Sequence, residues 1–476
     1  MISSSSYQHI LGGILIAVLL YSCAVVGPDY KRPDIKTPES YWADSLAKRD
    51  SMLNIGWWEI YKDPALDSLI KFALENNKDL LIATSRVEQA KAFVGYNNAD
   101  YFPKLDIGAG AFKGNYGGGL FLFDNEREAL VAQGQLSWEI GFWGEVRRAT
   151  ESAKAELLAS EFARREIQIS LISEVARAYF ELQDYKMRYE ISKRTYASRD
   201  SGHVIIKARF EKGIIPEIDV NQSQIQLSIS KASVPVYDRQ VTVVENRLNL
   251  LLGQNPNSIK LQGKFLDQEV NIIIPPGIPS EILDRRPDLL EAEARLHAQT
   301  AKIGVAQAQR LPSLSLTGLF GAVSPELSNF TNVTSGWNAS AGIFSPLFYF
   351  GKNKRRVEIE KEKTAQALRQ YEKAVINAFS EVEIALKNIE TRQEELMARR
   401  DQLAAASNAE YLSFERYNKG VTSYLEVLEN QRSSFDAALL HSQAQQEFLK
   451  SYILLYKALG GGWISENDAQ SEATAP

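Results

Sequence analysis

One uninterrupted helical run constrains this chain more than any other feature of its sequence. Lys352 to Lys419 covers 68 residues without a glycine or a proline, which corresponds to about 100 Å of α-helix at 1.5 Å per residue. A second run extends from Glu145 to Ser201, and it reaches Lys212 if the helix tolerates Gly202. Apolar residues recur every seven positions in the first run, at Leu368, Val375, Val382, Ile389, Leu396 and Leu403. A strict seven-residue repeat predicts left-handed coiled-coil packing, so each rod needs partner helices.

Each long run ends near a Lys-Gly pair and is followed by a shorter predicted helix. The pairs are Lys212-Gly213 and Lys419-Gly420. The return helices are predicted over Glu217–Leu252 and Ser423–Leu459, and each is about half as long as its run. We expect two further helices, over Pro64–Tyr101 and Arg286–Arg310, to supply the rest of the distance.

The two halves of the chain repeat each other. Arg209-Phe210-Glu211-Lys212-Gly213 matches Arg416-Tyr417-Asn418-Lys419-Gly420, at a spacing of 207 residues. Phe102-Pro103-Lys104-Leu105 resembles Leu311-Pro312-Ser313-Leu314, at a spacing of 209 residues. Because periods of this length are too long for a solenoid unit, they indicate a tandem duplication. The predicted repeats are 64–255 and 286–462, joined by a proline-bearing connector at 256–285.

Four segments between the helices alternate like β-strands. Val131–Gly141 and Ser335–Phe344 place apolar residues at every second position. We expect Leu105–Phe112 and Leu314–Phe320 to be their hairpin partners, with an irregularity at Gly318 and a loop over residues 117–123. This alternation is typical of membrane-barrel strands and also of soluble sandwiches, so periodicity leaves both open. A membrane barrel needs at least about eight strands, because an open sheet edge is not stable in lipid. If these strands cross a membrane, several chains must share one barrel.

Charge and composition exclude several functional classes. The 54 Lys plus Arg residues stand against 59 Asp plus Glu residues, for a formal net charge of −5. Without an excess of cations, a nucleic-acid partner is not expected. The four histidines form no HxxxH or HExxH pair, so no metal site is predicted. An enzyme is disfavoured because GxSxG and phosphate-loop motifs are absent from the sequence.

The N-terminus is typical of a secreted lipoprotein. Ile10 to Leu20 is an apolar run too short to span a bilayer, and it ends three residues before the chain's single cysteine, Cys23. We predict a signal peptide over 1–22, with Cys23 as the first mature residue and the site of the covalent lipid. The alternative is a buried free thiol after an ordinary leader. Residues 23–63 are predicted to be an extended N-terminal segment and residues 463–476 a flexible tail.

Several short motifs resemble the TolC-like outer-membrane factors, in the NodT-type branch of efflux-pump lipoproteins. They cover nearly the whole mature chain in family order. The motifs are Val26-Gly27-Pro28-Asp29-Tyr30-Lys31-Arg32-Pro33, Trp57-Trp58 through Asp63-Pro64, Phe142-Trp143-Gly144-Glu145-Val146-Arg147-Arg148-Ala149, Leu250-Leu251-Leu252-Gly253, Pro279-Ser280 through Arg285-Arg286-Pro287-Asp288, and Ala458-Leu459-Gly460-Gly461-Gly462-Trp463.

This resemblance implies a fold, a location and a set of partners. The fold would be mainly α with a β-barrel portion, in which long coiled-coil hairpins form a periplasmic tunnel. Four transmembrane strands from each chain of a homotrimer would make a twelve-stranded barrel. The chain would be lipid-anchored in the outer membrane of a Gram-negative bacterium and would export toxic small molecules passively. Its partners would be a periplasmic adaptor and an inner-membrane RND-type transporter.

The resemblance also places two candidate sites near the Lys-Gly turns. Glu426 and Glu429 lie three residues apart on one helical face, and Asp219 is the duplicate counterpart of Glu426. In three chains these carboxylates would ring the periplasmic constriction and favour cations; the alternative is an ordinary solvated acidic face.

The second candidate site is a docking site for the adaptor. Arg209 with Gly213, and Arg416 with Gly420, repeat one spacing where relatives meet the adaptor. Glycine as a simple helix C-cap is the alternative.

Two other functions stay open at this point. The same fold could serve as the outer-membrane conduit of a type I protein secretion system. A soluble coiled-coil tether would use the long helices but would have no membrane strands.

Overall fold

The computed structural model describes residues 25–35, 37–38, 61–116, 122–261, 265–268, 282–324 and 333–461. In these residues the fold is mainly α-helical with four strands, as predicted. The helices are α1 Pro64–Asn76, α2 Lys78–Ala99, α3 Glu145–Glu211, α4 Glu217–Leu251, α5 Ile282–Arg285, α6 Pro287–Ala308, α7 Lys352–Asn418 and α8 Tyr424–Ala458. The strands are β1 Lys104–Tyr116, β2 Leu122–Ile140, β3 Ser313–Ser324 and β4 Thr334–Phe344. The predicted signal peptide, Cys23, Trp57-Trp58 and the tail lie outside the described residues.

The two long helices form as the sequence predicts. Helix α3 passes through Gly202 and ends at Glu211, while α7 ends at Asn418. The seven-residue stripe of α7 is fully buried at Val375 and Val382. Alternating spacings of four and three residues continue the buried face through Tyr371, Ala378 and Ala385, which is the pattern of coiled-coil packing.

The chain divides into two compact units. The strand unit lies within 1–34, 85–161 and 291–372, and the helix unit lies within 35–84, 162–290 and 373–476. Unit boundaries fall inside α2, α3, α6 and α7. In the described part of the chain, no helix is both long and apolar enough to cross a bilayer.

The strand unit contains one antiparallel sheet in the order β1-β2-β3-β4. The two predicted hairpins are confirmed, and β2 pairs with β3 to join them. The predicted irregularity at Gly318 is wrong, because the pairing is continuous there with Leu136 on one side and Ala339 on the other. The register shift instead lies between Gly114 and Tyr116. The strands are also longer than predicted, and β2 begins at Leu122, inside the expected loop.

The predicted single helix over Pro64–Tyr101 is divided at Asn77, and this prediction was wrong. Asn77 has an extended ψ of 129°, and its side-chain oxygen accepts a hydrogen bond from the Leu80 amide at 3.0 Å. Its side-chain amide donates to the Leu251 carbonyl at 2.8 Å. An asparagine that caps one helix and binds the end of another favours a break over continuous helix.

Two of the family-like motifs stabilise the helix unit. The buried Asp63 caps α1 through the Ala65 amide and accepts a 2.6 Å hydrogen bond from the Tyr179 hydroxyl. Arg286 is also buried, and it donates to the Ala458 carbonyl at 2.8 Å. Both motifs therefore tie distant parts of the chain together.

The charge of Arg286 is compensated within the helix unit. Its guanidinium forms ion pairs with Asp288 at 2.8 Å and Glu381 at 2.7 Å. Burial lowers the pKa of Arg286, but the hydrogen bonds and charges of these carboxylates outweigh it and raise the pKa overall. The guanidinium therefore stays charged.

Candidate functional site

The two Lys-Gly turns adopt the same helix-ending geometry. Gly213 and Gly420 have φ values of 72° and 75°, in the left-handed region that favours glycine. The Gly213 amide donates to the Phe210 carbonyl at 2.7 Å, and the next amide donates to the Arg209 carbonyl at 3.0 Å. The second turn repeats both bonds, which define a Schellman motif. The C-cap role of both glycines is thus confirmed.

The space around these glycines is open. A Cβ atom added to Gly213 or Gly420 would meet no other atom within 4 Å. Inside the described chain, glycine is therefore required at these turns for the backbone conformation and not for close packing.

The two turns contact each other through side chains. The Arg209 guanidinium donates to the Asn418 side chain at 3.3 Å and lies 5.3 Å from the centre of the Tyr417 ring. Tyr417 in turn packs on Tyr424, with ring centres 5.2 Å apart. Since Arg209 belongs to the first repeat and Tyr417 to the second, these contacts place the duplicated turns side by side.

Each predicted gate glutamate is paired with an arginine of the same chain. Glu426 accepts a hydrogen bond from the Thr422 hydroxyl and lies 3.7 Å from the Arg416 Nε. Glu429 receives the Arg432 guanidinium at 2.7 and 2.8 Å. Both glutamates remain at least 39% exposed, so screening by water leaves these pairs weak.

The third predicted gate residue lies in a less polar environment. Burial raises the pKa of Asp219 above its ordinary value. The neighbouring Tyr424 is buried, and burial together with Tyr417 and Asp219 raises its pKa to about 12. Asp219 therefore lies close enough to Tyr424 to raise the pKa of the tyrosine.

Two features of this region were not predicted. Arg416, which was predicted to contact the adaptor, forms an ion pair with Glu426, which was predicted to lie at the constriction, within one chain. The aromatic contact between Tyr417 and Tyr424 packs beside the buried Val427 and Leu428. The duplicated position of an aromatic residue three residues before each glycine, Phe210 and Tyr417, was visible in the sequence, but the partners of these side chains depend on tertiary packing.

Comparison with known proteins assigns the family. The model of the family described as "Outer membrane efflux protein" matches residues 69–254 and 278–461. The chain belongs to the outer membrane efflux protein family.

Individual members of the family match this chain over almost its full length. The cation efflux system protein CusC of Escherichia coli O157:H7 is 31% identical, with 94% of this chain and 97% of CusC covered. The toluene efflux pump outer membrane protein TtgC of Pseudomonas putida is 30% identical, with 96% of each chain covered. The solved structure of the outer-membrane channel OprN has a TM-score of 0.83 at 30% identity, covering 92% of this chain and 99% of OprN.

These similarities decide between the functions that the sequence left open. The chain is an outer-membrane channel protein of the efflux type, and the reading as a protein-secretion conduit is not supported. The soluble tether is excluded as well, since the four strands are present and the fold is that of outer-membrane channels. Members of this family act as channels and not as enzymes.

Proposed function

We propose that the chain works as a homotrimer that conducts drugs or other toxic small molecules passively across the outer membrane. A periplasmic adaptor and an inner-membrane RND-type transporter would deliver the molecules and supply the energy. No chemical step would take place on this chain. The names of the relatives refer to cations in one case and to toluene in another, so the substrate is proposed only as a class.

The observation that carries the proposal is the open sheet. Among the described residues, β1 and β4 are edge strands with one neighbour each. Large apolar side chains on these edges are strongly exposed, including Ile107 at 86% and Trp337 at 83%. Because an open edge is unstable in lipid, further copies must pair with both edges, and three copies give twelve strands.

Purification in detergent tests the assembly. We expect light scattering to give three chains per particle and planar bilayers to show stable conductance. A monomer without channel activity would refute the trimeric channel. A deletion strain tested against a panel of toxic compounds would then identify the substrate class.

We propose that Asp219, Glu426 and Glu429 from three chains form the periplasmic constriction. The mutual contacts of the two turns support a compact tip. The paired arginines support a further refinement, because Arg432 neutralises part of the charge of Glu429. The net negative field at the tip is then smaller than the number of carboxylates suggests.

Reversal potentials in a salt gradient test this ring. Replacing Glu426 and Glu429 with glutamine should lower the preference for cations, whereas Arg432→Gln should raise it. Asp219→Asn should shift selectivity in the same direction as the glutamine variants. If none of these variants changes the reversal potential, the carboxylates do not line the constriction.

We propose that Arg209, Gly213, Arg416 and Gly420 contact the adaptor. The open space at both glycines supports this role, since a partner backbone could approach there. Alanine and tryptophan at Gly213 and Gly420 form a matched test, because both carry the same backbone cost but differ in bulk. We expect the tryptophan variants to lose adaptor cross-linking and drug resistance while the trimer persists. Equal resistance in the alanine and tryptophan variants would contradict docking at these glycines.

We also propose that Cys23 carries the lipid anchor. Cys23 is two residues before Val25, the first residue that the structure describes, and this supports the proposal because the lipid would then lie close to the strand unit. Mass spectrometry of the mature N-terminal peptide should show acylation at Cys23. An unmodified thiol would remove the anchor from the proposal.

A further inference from the structure

The N-terminal residues 25–32, which we call the strap, lie in a groove of the strand unit. Arg148 holds the strap, with a side chain that is only 5% exposed. Its guanidinium donates to the carbonyls of Val26 and Gly27, each at 3.2 Å, and to the Asp29 carboxylate at 2.7 Å. Tyr30 of the strap also stacks on His297 at 4.6 Å and donates to Glu293 at 3.1 Å. The groove therefore binds two backbone carbonyls, one carboxylate and one aromatic ring.

Two glycines, one on a helix and one just before a helix, allow the strap to approach closely. A Cβ atom on Gly304 of α6 would lie 2.7 Å from the Arg148 side chain and 2.9 Å from the Val26 carbonyl oxygen. A Cβ atom on Gly144, just before α3, would lie 2.7 Å from the Val25 side chain. A larger residue at either position would displace the strap.

The duplication provides a counterpart for the glycines, for Arg148 and for Glu151. The strap also contacts Glu293 and His297, and the positions 209 residues earlier hold Thr84 and Glu88 instead. Gly144, Arg148 and Glu151 correspond to Gly351, Arg355 and Glu358, 207 residues later. Gly304 corresponds to Gly95 of α2, 209 residues earlier. The ion pair is reproduced as well, with Arg148 to Glu151 at 2.8 Å and Arg355 to Glu358 at 2.6 Å.

The counterparts are empty in the single chain. A Cβ atom on Gly95 or Gly351 would meet nothing within 4 Å, and the Arg355 side chain is 75% exposed. A glycine inside a helix costs about 1 kcal/mol relative to alanine. At Gly304 the close approach of Arg148 and the strap accounts for that cost. In the described chain, no contact accounts for it at Gly95.

Sheet topology explains why the second groove is incomplete. Helices α3 and α6 are neighbours because they adjoin β2 and β3, which pair in the middle of the sheet. Helix α2 precedes β1 and α7 follows β4, and these strands lie at opposite edges. The counterpart of the α3–α6 pair can therefore form only between α7 of one copy and α2 of the next.

We propose that Arg355 and Glu358 of one copy and Gly95 of the next form a second strap groove at each subunit junction, open to an extended peptide whose carboxylate pairs with Arg355. This inference rests on the proposed trimer. The strap itself defines the ligand chemistry, an extended segment that presents carbonyls and then an aspartate. Lys352 and Lys354 are exposed beside Arg355, so the second groove is more basic than the first and attracts an acidic segment.

A synthetic peptide of residues Ala24–Pro33 with a fluorescent label is a direct probe. The tethered strap keeps the first groove filled, because its effective concentration exceeds that of the free peptide. We expect anisotropy to show one bound peptide per chain in the purified trimer. Arg355→Ala in the protein should weaken binding at least tenfold, because it removes every hydrogen bond that the guanidinium donates to the peptide. Asp29→Asn in the peptide should weaken binding less, because the Asp29 side chain is 83% exposed in the first groove. No binding to an intact trimer, or binding unaffected by Arg355→Ala, would overturn the second groove.

Cross-linking tests the placement independently of the peptide. In the first groove a Cβ atom on Gly304 would lie 2.7 Å from the Arg148 side chain. Cysteines at the counterpart positions, Gly95 and Arg355, should therefore form disulfides between copies. The double variant should then migrate as covalent dimers and trimers, and each single variant as a monomer. A trimer by light scattering without these cross-links would refute the groove but leave the proposed channel intact. A monomer by light scattering would refute both.

Discussion

A glycine follows the end of each of the four long helices. Replacing these four glycines with alanine would distinguish the energetic cost of the backbone conformation from the cost of packing. Gly213, Gly253, Gly420 and Gly460 have φ values of 72°, 68°, 75° and 87°. Each amide donates to the carbonyl three residues earlier, at 2.7 to 3.0 Å. Alanine at any of the four would therefore adopt the same left-handed conformation, at a cost of about 1–2 kcal/mol.

Packing distinguishes the two pairs. An alanine Cβ at Gly213 or Gly420 would meet no atom within 4 Å. At Gly253 it would lie 2.3 Å from the Asn76 carbonyl oxygen, and at Gly460 it would lie 3.0 Å from the Arg286 Cα. Overpacking costs a further ~1–3 kcal/mol. We expect total losses of about 1–2 kcal/mol at the turns and about 2–5 kcal/mol at the two packed glycines.

Guanidinium unfolding in detergent, followed by circular dichroism, measures these losses. Gly253→Ala should have the largest effect, because its Cβ would make the shortest contact, 2.3 Å from a backbone oxygen, against 3.0 Å from a backbone carbon at Gly460. Gly213→Ala and Gly420→Ala should agree with each other. If Gly213→Ala costs as much stability as Gly253→Ala, the backbone conformation alone explains all four glycines and the packing argument fails.

Three further predictions concern the strap and the helix junction. Binding to Arg148 holds the pKa of Asp29 below its ordinary value of 3.8, so the carboxylate stabilises the bound strap above pH 3.8, and this contribution is lost as the pH falls through the lowered pKa. Hydrogen exchange at the Val26 amide, corrected for its intrinsic rate, should therefore accelerate in acid. An unchanged corrected rate would contradict the contact between Arg148 and Asp29. Gly304→Ala should release the strap and speed tryptic cleavage after Lys31 at least tenfold, whereas the matched change Gly95→Ala at the duplicate position should leave the cleavage rate unchanged. Equal cleavage rates in the two variants would argue against close packing at the strap. Asn77→Ala should lower the free energy of unfolding by about 1–2 kcal/mol in the same assay, because a helix cap is lost. A loss below about 0.5 kcal/mol, the range of an ordinary surface substitution, would show that other residues cause the break between α1 and α2.

The residues proposed for the gate and for docking show how much a sequence motif can predict. The duplicated Arg-to-Gly spacing identified both turns, and their Schellman geometry follows from glycine's access to positive φ. The pairing of Arg416 with Glu426 was not predictable, because the side chains come from two helices whose packing depends on the whole tip. Sequence reasoning therefore placed these residues at the turns but not their contacts.

The amino-acid sequence by itself determined the elements that depend on local patterns. The absence of glycine and proline in Lys352–Lys419 and its seven-residue stripe predicted α7 and its buried face, because periodicity is a property of one helix. Two-residue alternation similarly predicted the hairpins. Tertiary structure decided the break at Asn77, the register shift near Tyr116 and the burial of Arg148 under the strap. Each of these depends on a contact between residues far apart in the chain, and no local pattern contains that information.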